Sequence, residues 1–295
     1  MNIVQLKKVS RSYFKAERVL EGLDLDIREG EIVGLIGRNG AGKSTLMHLL
    51  MGMLHPQAGS VEIFGLDPVR HPIEVKQRIG YVAENQILPG SMTAVELLAI
   101  YPGLFPNWQP ELAMDLAEKF DLPLRRKVNT LSKGQARSLA LLLAISSRPD
   151  FLILDEPAAG LDPAMRREFL STSIEHAAES GTTILFSSHQ LTDVERLASR
   201  VALLHNGRIA LDRATDSLTE DYSLATLPQN SDGPAMRALP GFLAARDRKS
   251  QTSALFERST IELQQDLDHT FGAGVGVCRS VPLEELFIEF VGGGN

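Results

Sequence analysis

A loop at residues 37–44 carries residue types that bind phosphate groups. It reads Gly-Arg-Asn-Gly-Ala-Gly-Lys-Ser and fits the pattern G-x-x-x-x-G-K-[ST]. Glycines let backbone N–H groups turn inward around an anion. Lys43 has the reach to contact β- and γ-phosphates, and the Ser44 hydroxyl suits Mg²⁺. The alternative, a glycine turn that matches by chance, is disfavoured because a strand-like run precedes the loop and a helical pattern follows. The predicted phosphate-binding residues are Gly37, Arg38, Asn39, Gly40, Ala41, Gly42, Lys43, Ser44 and Thr45.

A pair of acidic residues follows an apolar run further along the chain. Residues 151–154, Phe-Leu-Ile-Leu, predict a buried strand, and Asp155 and Glu156 come directly after it. In open α/β sheets, ligands bind at the carboxyl ends of the strands. Asp155 would there help to hold Mg²⁺, and Glu156 would accept a proton from a water molecule or orient it. The alternative is a solvated turn, which is less favoured in a chain that also has a phosphate-binding loop.

The elements that must position these residues alternate between strand and helix patterns. Residues 93–145 are helical in pattern, and short apolar runs elsewhere predict strands. We predict an α/β core around a largely parallel sheet, over residues 1–215, with a helical subdomain at about 85–147. A small α+β domain is predicted for residues 216–295. Its strands are expected near 221–227, 252–257 and 275–280, and its helices at 259–268 and 282–291.

Composition excludes several classes of protein. The chain has 295 residues, a net charge of −7 and one cysteine, so it can bury a full core and has no intramolecular disulfide. The charge is not basic in either half, which argues against nucleic acid as a ligand. No apolar run approaches the roughly 18 residues that span a bilayer. We therefore expect an intracellular chain that meets a membrane only through a partner.

A third motif gives the chain a family resemblance. Residues 131–135, Leu-Ser-Lys-Gly-Gln, precede a long apolar helical pattern and lie about twenty residues before Asp155. With the phosphate loop, the acidic pair, Ala-Gly-Leu-Asp at 159–162 and Ser-Ser-His at 187–189, they fall in the order found in ATP-binding cassette (ABC) ATPases. The chain resembles that family over residues 3–215, with a P-loop ABC ATPase core and helical subdomain as the implied fold.

The resemblance implies ATP and Mg²⁺ as ligands and a head-to-tail dimer of ATPase subunits, either a homodimer or a pseudo-symmetric heterodimer. Each ATP would lie between one subunit's phosphate loop and the other's signature. Ser132 is typical of a helix N-cap, and its hydroxyl would point across the dimer at the γ-phosphate. The remaining implied contacts are Tyr13 stacking on adenine (with Phe14 as a fallback), Gly134 and Gln135 in the signature, Asp162 at the interface and His189 at the γ-phosphate.

Two residues depart from the family pattern. The signature has Lys133 where Gly is usual, although Ser132 and Gly134 remain. The usual Gln after the strand at 79–82 is here Glu84, with Gln86 two residues on. A carboxylate still suits Mg²⁺ or a water molecule, so the resemblance implies that Glu84 takes this role.

Softer features indicate a branch of the family. Phe-Pro-Asn-Trp at 105–108, the signature variant and Val-Pro-Leu-Glu-Glu-Leu-Phe at 281–287 resemble the ATPase subunits of bacterial type-2 export systems. This implies an ATPase that works with transmembrane permease subunits at the cytoplasmic face of the inner membrane. The resemblance does not identify the substrate or the permease. The alternative is a soluble ABC ATPase acting on nucleic acid, the ribosome or cofactor assembly.

Overall fold

The chain divides between Leu211 and Asp212 into an N-terminal unit, Met1–Leu211, and a C-terminal unit, Asp212–Asn295. The division lies close to residue 215, where the sequence predicts a domain boundary, and it falls within a strand, Arg208–Ala214, that is described below with the N-terminal unit. This computed structural model describes residues 1–13, 17–159, 163–229, 233–248 and 251–292. Within that part of the chain, no helix is long and apolar enough to cross a membrane.

The N-terminal unit alternates strands and helices, as its sequence predicts. Its elements in chain order are β1 (Asn2–Tyr13), β2 (Glu17–Arg28), β3 (Ile32–Ile36), α1 (Lys43–Leu50), β4 (Ala58–Ile63), α2 (Pro72–Lys76), β5 (Ile79–Val82), α3 (Ala94–Leu104), α4 (Pro110–Lys119), a 3₁₀ turn (Val128–Thr130), α5 (Lys133–Ser146), β6 (Phe151–Leu154), α6 (Pro163–Glu179), β7 (Thr183–Ser187), α7 (Leu191–Leu197), β8 (Arg200–His205) and β9 (Arg208–Ala214).

A six-stranded sheet, in the order β5-β6-β7-β3-β8-β9, forms the centre of this unit. The neighbouring strands β5, β6, β7, β3 and β8 pair in parallel. Every residue of β6 and β7 is buried, as expected for a parallel sheet covered on both faces. The carboxyl ends of parallel strands meet at one edge, so the residues that follow β3, β5, β6 and β7 share that edge.

A second sheet, in the order β2-β1-β4, is antiparallel. It shares a core with α1, in which Leu20, Leu46 and Met47 are fully buried. Tyr13 is the last residue of β1 and sits at the end of this sheet.

The helical subdomain is built from α3, α4 and α5, and two of these helices begin with capping boxes. Thr93 and Glu96 cap α3, and Ser132 and Gln135 cap α5. Each serine or threonine hydroxyl accepts the backbone N–H three residues on, while the glutamate or glutamine side chain accepts the N-cap N–H. The N-cap prediction for Ser132 is confirmed.

The C-terminal unit is a small α+β fold, as predicted. Its elements are α8 (Leu218–Asp221), β10 (Tyr222–Pro228), α9 (Gly233–Arg237), β11 (Phe242–Arg248), β12 (Gln251–Glu257), α10 (Thr260–Phe271), β13 (Val277–Ser280) and α11 (Leu283–Gly292). The sheet order is β11-β12-β10-β13, with every neighbouring pair antiparallel. The chain order β10-α9-β11-β12-α10-β13, together with this sheet order, is the split β-α-β arrangement.

Helices cover both faces of that sheet. Met236 of α9 and Leu263 of α10 are buried in the core on one face. On the other face the Phe290 ring of α11 meets Tyr222 edge-on at 6.2 Å. Arg246 of β11 pairs with Glu289 of α11 at 3.3 Å, which fastens the last helix to the sheet.

Candidate active site

The phosphate loop joins the buried strand β3 to α1, as predicted. Gly42 is the N-cap of α1 and has φ 108°, a left-handed conformation that favours glycine. Space also favours glycine here, because a Cβ at this position would lie 2.9 Å from Leu20 Cδ2 and 3.1 Å from the Val19 carbonyl oxygen. The Lys43 side chain is buried, and its Nζ donates to the Gly37 carbonyl at 2.8 Å. The loop thus holds a cation beside the N-terminus of a helix, two features that attract an anion.

A cavity of about 660 Å³ lies at this edge of the sheet and gathers most of the predicted site residues. It brings the phosphate loop together with the acidic pair after β6, with Glu84 after β5 and with His189 after β7. Gly37 and Ala41 are in the loop but do not line the cavity. The lining residues are Tyr13, Val19, Arg38, Asn39, Gly40, Gly42, Lys43, Ser44, Thr45, Glu84, Asp155, Glu156, Ala159 and His189.

The acidic pair is held by a serine of the neighbouring strand. The hydroxyl of Ser187, at the end of β7, accepts the Glu156 N–H at 2.8 Å and donates to Asp155 Oδ1 at 2.8 Å. All three residues are buried. Glu156 has φ 47°, an uncommon conformation for a non-glycine residue. The serine therefore fixes both a carboxylate and a strained backbone.

His189 and Glu156 form a pair at the wall of the cavity. His189 Nδ1 lies 2.7 Å from Glu156 Oε2, and the His189 backbone N–H donates to the same oxygen at 3.3 Å. An ionised carboxylate only accepts, so Nδ1 is the donor in this pair. The Glu156 side chain is nearly buried, whereas that of His189 is half exposed to the cavity. The arrangement presents a carboxylate and an imidazole to one ligand.

Glu84 and its surroundings add charge to the site. Glu84 lines the cavity, whereas Gln86 Oε1 accepts the Ala83 N–H at 3.0 Å and does not line it. Arg137 of α5 donates from Nη2 to the Glu84 carbonyl at 2.8 Å. Burial lowers the pKa of the Arg137 guanidinium, and the Glu84 and Glu156 carboxylates oppose this shift.

The buried strand β5 contributes a phenol close to the acidic pair. Burial, with a smaller effect of the negative charge of Asp155, raises the pKa of Tyr81 to about 12. The Tyr81 hydroxyl therefore stays protonated at neutral pH.

Tyr13 also lines the cavity. Its hydroxyl is 3.3 Å from Thr45 Oγ1, and the Arg11 guanidinium lies 5.5 Å from the centre of its ring. Tyr13 as a whole residue is 36% exposed. An aromatic face is thus available beside the phosphate loop. Phe14 and Asp162, also named from the sequence, lie outside the described residues.

The signature residues do not line this cavity. Ser132 and Lys133 are exposed at the start of α5, and Gly134 and Gln135 are partly exposed. Gln135 N–H donates to Ser132 Oγ at 3.1 Å, so the serine hydroxyl is already held at the helix N-terminus. The structure therefore places the signature on the surface and apart from the chain's own phosphate loop.

Sequence reasoning assigned no individual role to three residues that support the site. Ser187 bridges the acidic pair, Arg137 reaches Glu84, and the buried Arg166 donates from Nη2 to Ser188 Oγ at 3.0 Å. The sequence offered one signal for Ser187, namely the pair of serines before His189. Polar residues at the carboxyl end of a buried strand indicate the edge of the sheet where ligands bind.

The donor set of the cavity fits Mg²⁺. Ser44, Glu84 and Asp155 all line it, and hydroxyl and carboxylate oxygens are the ligands that Mg²⁺ prefers. In the described part of the chain, no three His, Cys, Asp or Glu side chains cluster closely enough to hold a metal by themselves. Mg²⁺ in nucleotide sites is commonly held by one or two protein oxygens together with substrate phosphates.

The fold and the site define a P-loop nucleotide-hydrolysing core, and comparisons with known proteins agree. A family model described as ABC transporter matches residues 20–159. The ABC transporter ATP-binding protein YtrB of Bacillus subtilis (strain 168) is 31% identical over 220 residues, which cover 75% of each chain. The Nod factor export ATP-binding protein I of Ralstonia nicotianae is 30% identical over 305 residues, which cover 96% of this chain and 92% of that protein.

A solved structure described as the ATP binding subunit of an ABC transporter superposes with a TM-score of 0.68 at 29% identity. It covers 73% of this chain and 91% of that one. The chain belongs to the family of ABC transporter ATP-binding proteins, which are ATPases. The predicted fold class and family are confirmed.

Proposed function

We propose that this chain is the ATPase subunit of an ABC exporter, in which ATP-driven dimerisation is coupled to a separate membrane permease. The observation that carries the proposal is one cavity that gathers the phosphate loop, Asp155, Glu156 and His189. The relatives of this chain include a Nod factor export ATP-binding protein, which supports export as the direction of transport.

The phosphate loop and the aromatic ring of Tyr13 bind ATP. Lys43 and the N-terminus of α1 stabilise the charge of the β- and γ-phosphates. Tyr13 stacks on the adenine, because its partly exposed ring lines the same cavity as the loop. The backbone amides of the loop residues contact the phosphate oxygens.

Ser44, Asp155 and Glu84 are the residues that would hold Mg²⁺, which supplies charge neutralisation of the phosphate oxygens when bound. The Ser187 hydroxyl bonds Oδ1 of Asp155, so this contact does not involve Oδ2. The serine thereby orients the carboxylate for this role.

Glu156 orients the attacking water and accepts its proton. The carboxylate is nearly buried at the cavity wall, and His189 holds one of its oxygens. Hydrolysis of the γ-phosphate is an in-line displacement, so catalysis depends on positioning the water and stabilising charge. His189 contacts the γ-phosphate from the same side.

The site is completed by a second ATPase subunit. Ser132, Gly134 and Gln135 lie on the surface and apart from the cavity of their own chain. A helix N-terminus that faces solvent can receive the γ-phosphate of a nucleotide bound to another subunit. Asp162 is proposed to lie at the same interface.

The permease docks on the helical subdomain, at the cytoplasmic face of the inner membrane. Helix α3 is strongly apolar, yet Val95, Ile100 and Leu104 are exposed. Beside them, the half-buried rings of Phe105 and Trp108 pack on Tyr101 at 5.3 and 5.2 Å. An apolar surface of this kind marks an interface with another protein.

Two variants test hydrolysis and dimer geometry together. Glu156→Gln removes the proton acceptor, so this variant is expected to bind ATP, lose turnover and accumulate as a dimer on gel filtration. Ser132→Arg places a long side chain at the partner-facing surface and is expected to abolish that dimer while ATP still binds the monomer. A wild-type ATPase rate in Glu156→Gln would remove Glu156 from the mechanism. Dimers of both variants with ATP would contradict the head-to-tail arrangement.

A further inference from the structure

Every residue of the segment from Ser187 to Gln190 takes part in a hydrogen bond. Ser187 bridges the acidic pair, as described above. His189 is held to Glu156 through its ring and its backbone N–H. Ser188, between them, points its hydroxyl away from the acidic pair, to Arg166 and to the Gln190 N–H, each at 3.0 Å.

Arg166 is a buried cation on a different element. It lies in the first turn of α6 and its side chain is 6% exposed. Its Nε donates to Asp193 Oδ2 of α7 at 2.7 Å, while Nη2 donates to Ser188 Oγ. The guanidinium therefore links three parts of the unit: the start of α6, the loop before His189 and the start of α7.

The ion pair with Asp193 already compensates the buried charge of Arg166. The hydrogen bond from Arg166 to Ser188 is therefore not needed for that purpose. A buried ion pair is weak evidence for stability, because desolvation offsets most of the attraction. The planar fork of arginine reaches two acceptors in fixed geometry, which a lysine does not. The second branch of the fork fixes the residue directly before His189.

We propose that Arg166 is a positioning residue for hydrolysis: through Ser188 it fixes the loop that holds the His189 imidazole against Glu156. This inference rests on the proposed roles of His189 and Glu156. In the described part of the chain, Arg166 makes no hydrogen bond to His189 or Glu156, so it acts through the loop. Arg166 also lies four residues after Asp162, so it connects the proposed dimer interface along the chain to the loop that carries His189.

Ser188→Ala is the sharpest test, because it removes the link and leaves the Arg166–Asp193 ion pair intact. We expect kcat to fall by about tenfold or more, since small displacements of catalytic groups have large effects on rate. The preference for ATP over ADP, measured by nucleotide titration, should fall to that of His189→Ala, with ADP affinity within about twofold of wild type.

Ser173→Ala is the matched control. Its hydroxyl is also buried, lies in the same helix α6 and donates to the Phe169 carbonyl. It should leave kcat and the nucleotide preference unchanged. Arg166→Lys retains a positive charge beside Asp193 without the fork and should reproduce the loss of Ser188→Ala, with no further loss in the double variant.

The results separate this inference from the proposed function. Wild-type kcat and nucleotide preference in Ser188→Ala, with His189→Ala impaired, would overturn the role of Arg166 alone. Wild-type behaviour of His189→Ala would overturn both. If Ser188→Ala does not fold, Arg166→Lys decides: wild-type kcat and ATP preference in that variant also overturn the inference.

Discussion

Ser187→Ala is expected to destabilise the N-terminal unit and to impair ATP hydrolysis. The hydroxyl is fully buried, accepts the Glu156 N–H and donates to the Asp155 carboxylate. Its removal breaks a hydrogen bond to a charged group, worth about 1.5–3 kcal/mol, and leaves a buried N–H unpaired at about 1–3 kcal/mol. These effects overlap at one site, so we expect a loss of about 2–4 kcal/mol in the free energy of unfolding.

Ser146→Ala is the matched control for this prediction. Ser146 is also fully buried in the N-terminal unit, but its hydroxyl has no hydrogen-bond partner among the described residues. Replacing it removes a buried polar group that is already unpaired, so the variant should be as stable as wild type or slightly more stable.

Urea unfolding checks both variants. Trp108 is the single tryptophan and lies in the N-terminal unit, so its fluorescence reports the unfolding of that unit. Steady-state ATPase rates complete the comparison, with a loss expected only in Ser187→Ala. Equal destabilisation of the two variants, or a change below about 0.5 kcal/mol in Ser187→Ala, would refute the reasoning.

Three further predictions concern other parts of the chain. Lys43→Ala should lose the rise in melting temperature that ATP induces, because the phosphates lose their cation; an unchanged rise would show that the loop is not the phosphate site. Leu104→Gln should lower recovery with permease-containing membranes and leave basal ATPase unchanged, whereas Met53→Gln, equally exposed, should change neither; equal recovery of both contradicts docking on α3. Burial, with a smaller effect of Asp268, raises the pKa of Cys278 to about 11. At pH 8 the thiolate fraction of Cys278 should therefore be roughly 100-fold lower in the folded protein than in the unfolded chain. Equal alkylation rates in native and urea-unfolded protein would contradict this.

The sequence predicted those parts of the site that depend on local pattern. The phosphate loop is defined by one run of residues, and the strands at 79–82 and 151–154 have the bounds that their apolar runs indicate. The role of Ser187 could not be predicted in this way. It depends on β6 and β7 being neighbours in register, which local patterns do not reveal.

In the C-terminal unit, the strand β11 was missed for a different reason. Its sequence, Phe-Leu-Ala-Ala-Arg-Asp-Arg, contains residues with low strand propensity and lies at the edge of the sheet. An edge strand tolerates charged side chains because one side has no neighbouring strand. Pairing with β12 therefore determines the strand, and this pairing lies outside its own sequence.

The left-handed backbone at Glu156 also bears on how this chain can evolve. Glycine, aspartate and asparagine adopt that conformation with less strain than glutamate does. In the genetic code, single base changes convert a glutamate codon into one for aspartate or glycine. Changes that shorten or remove the carboxylate are thus one base change away and compatible with the backbone conformation at this position. A duplicated gene could lose turnover at this codon while its product keeps the phosphate loop, which gives a direct route to a paired subunit that binds ATP without consuming it.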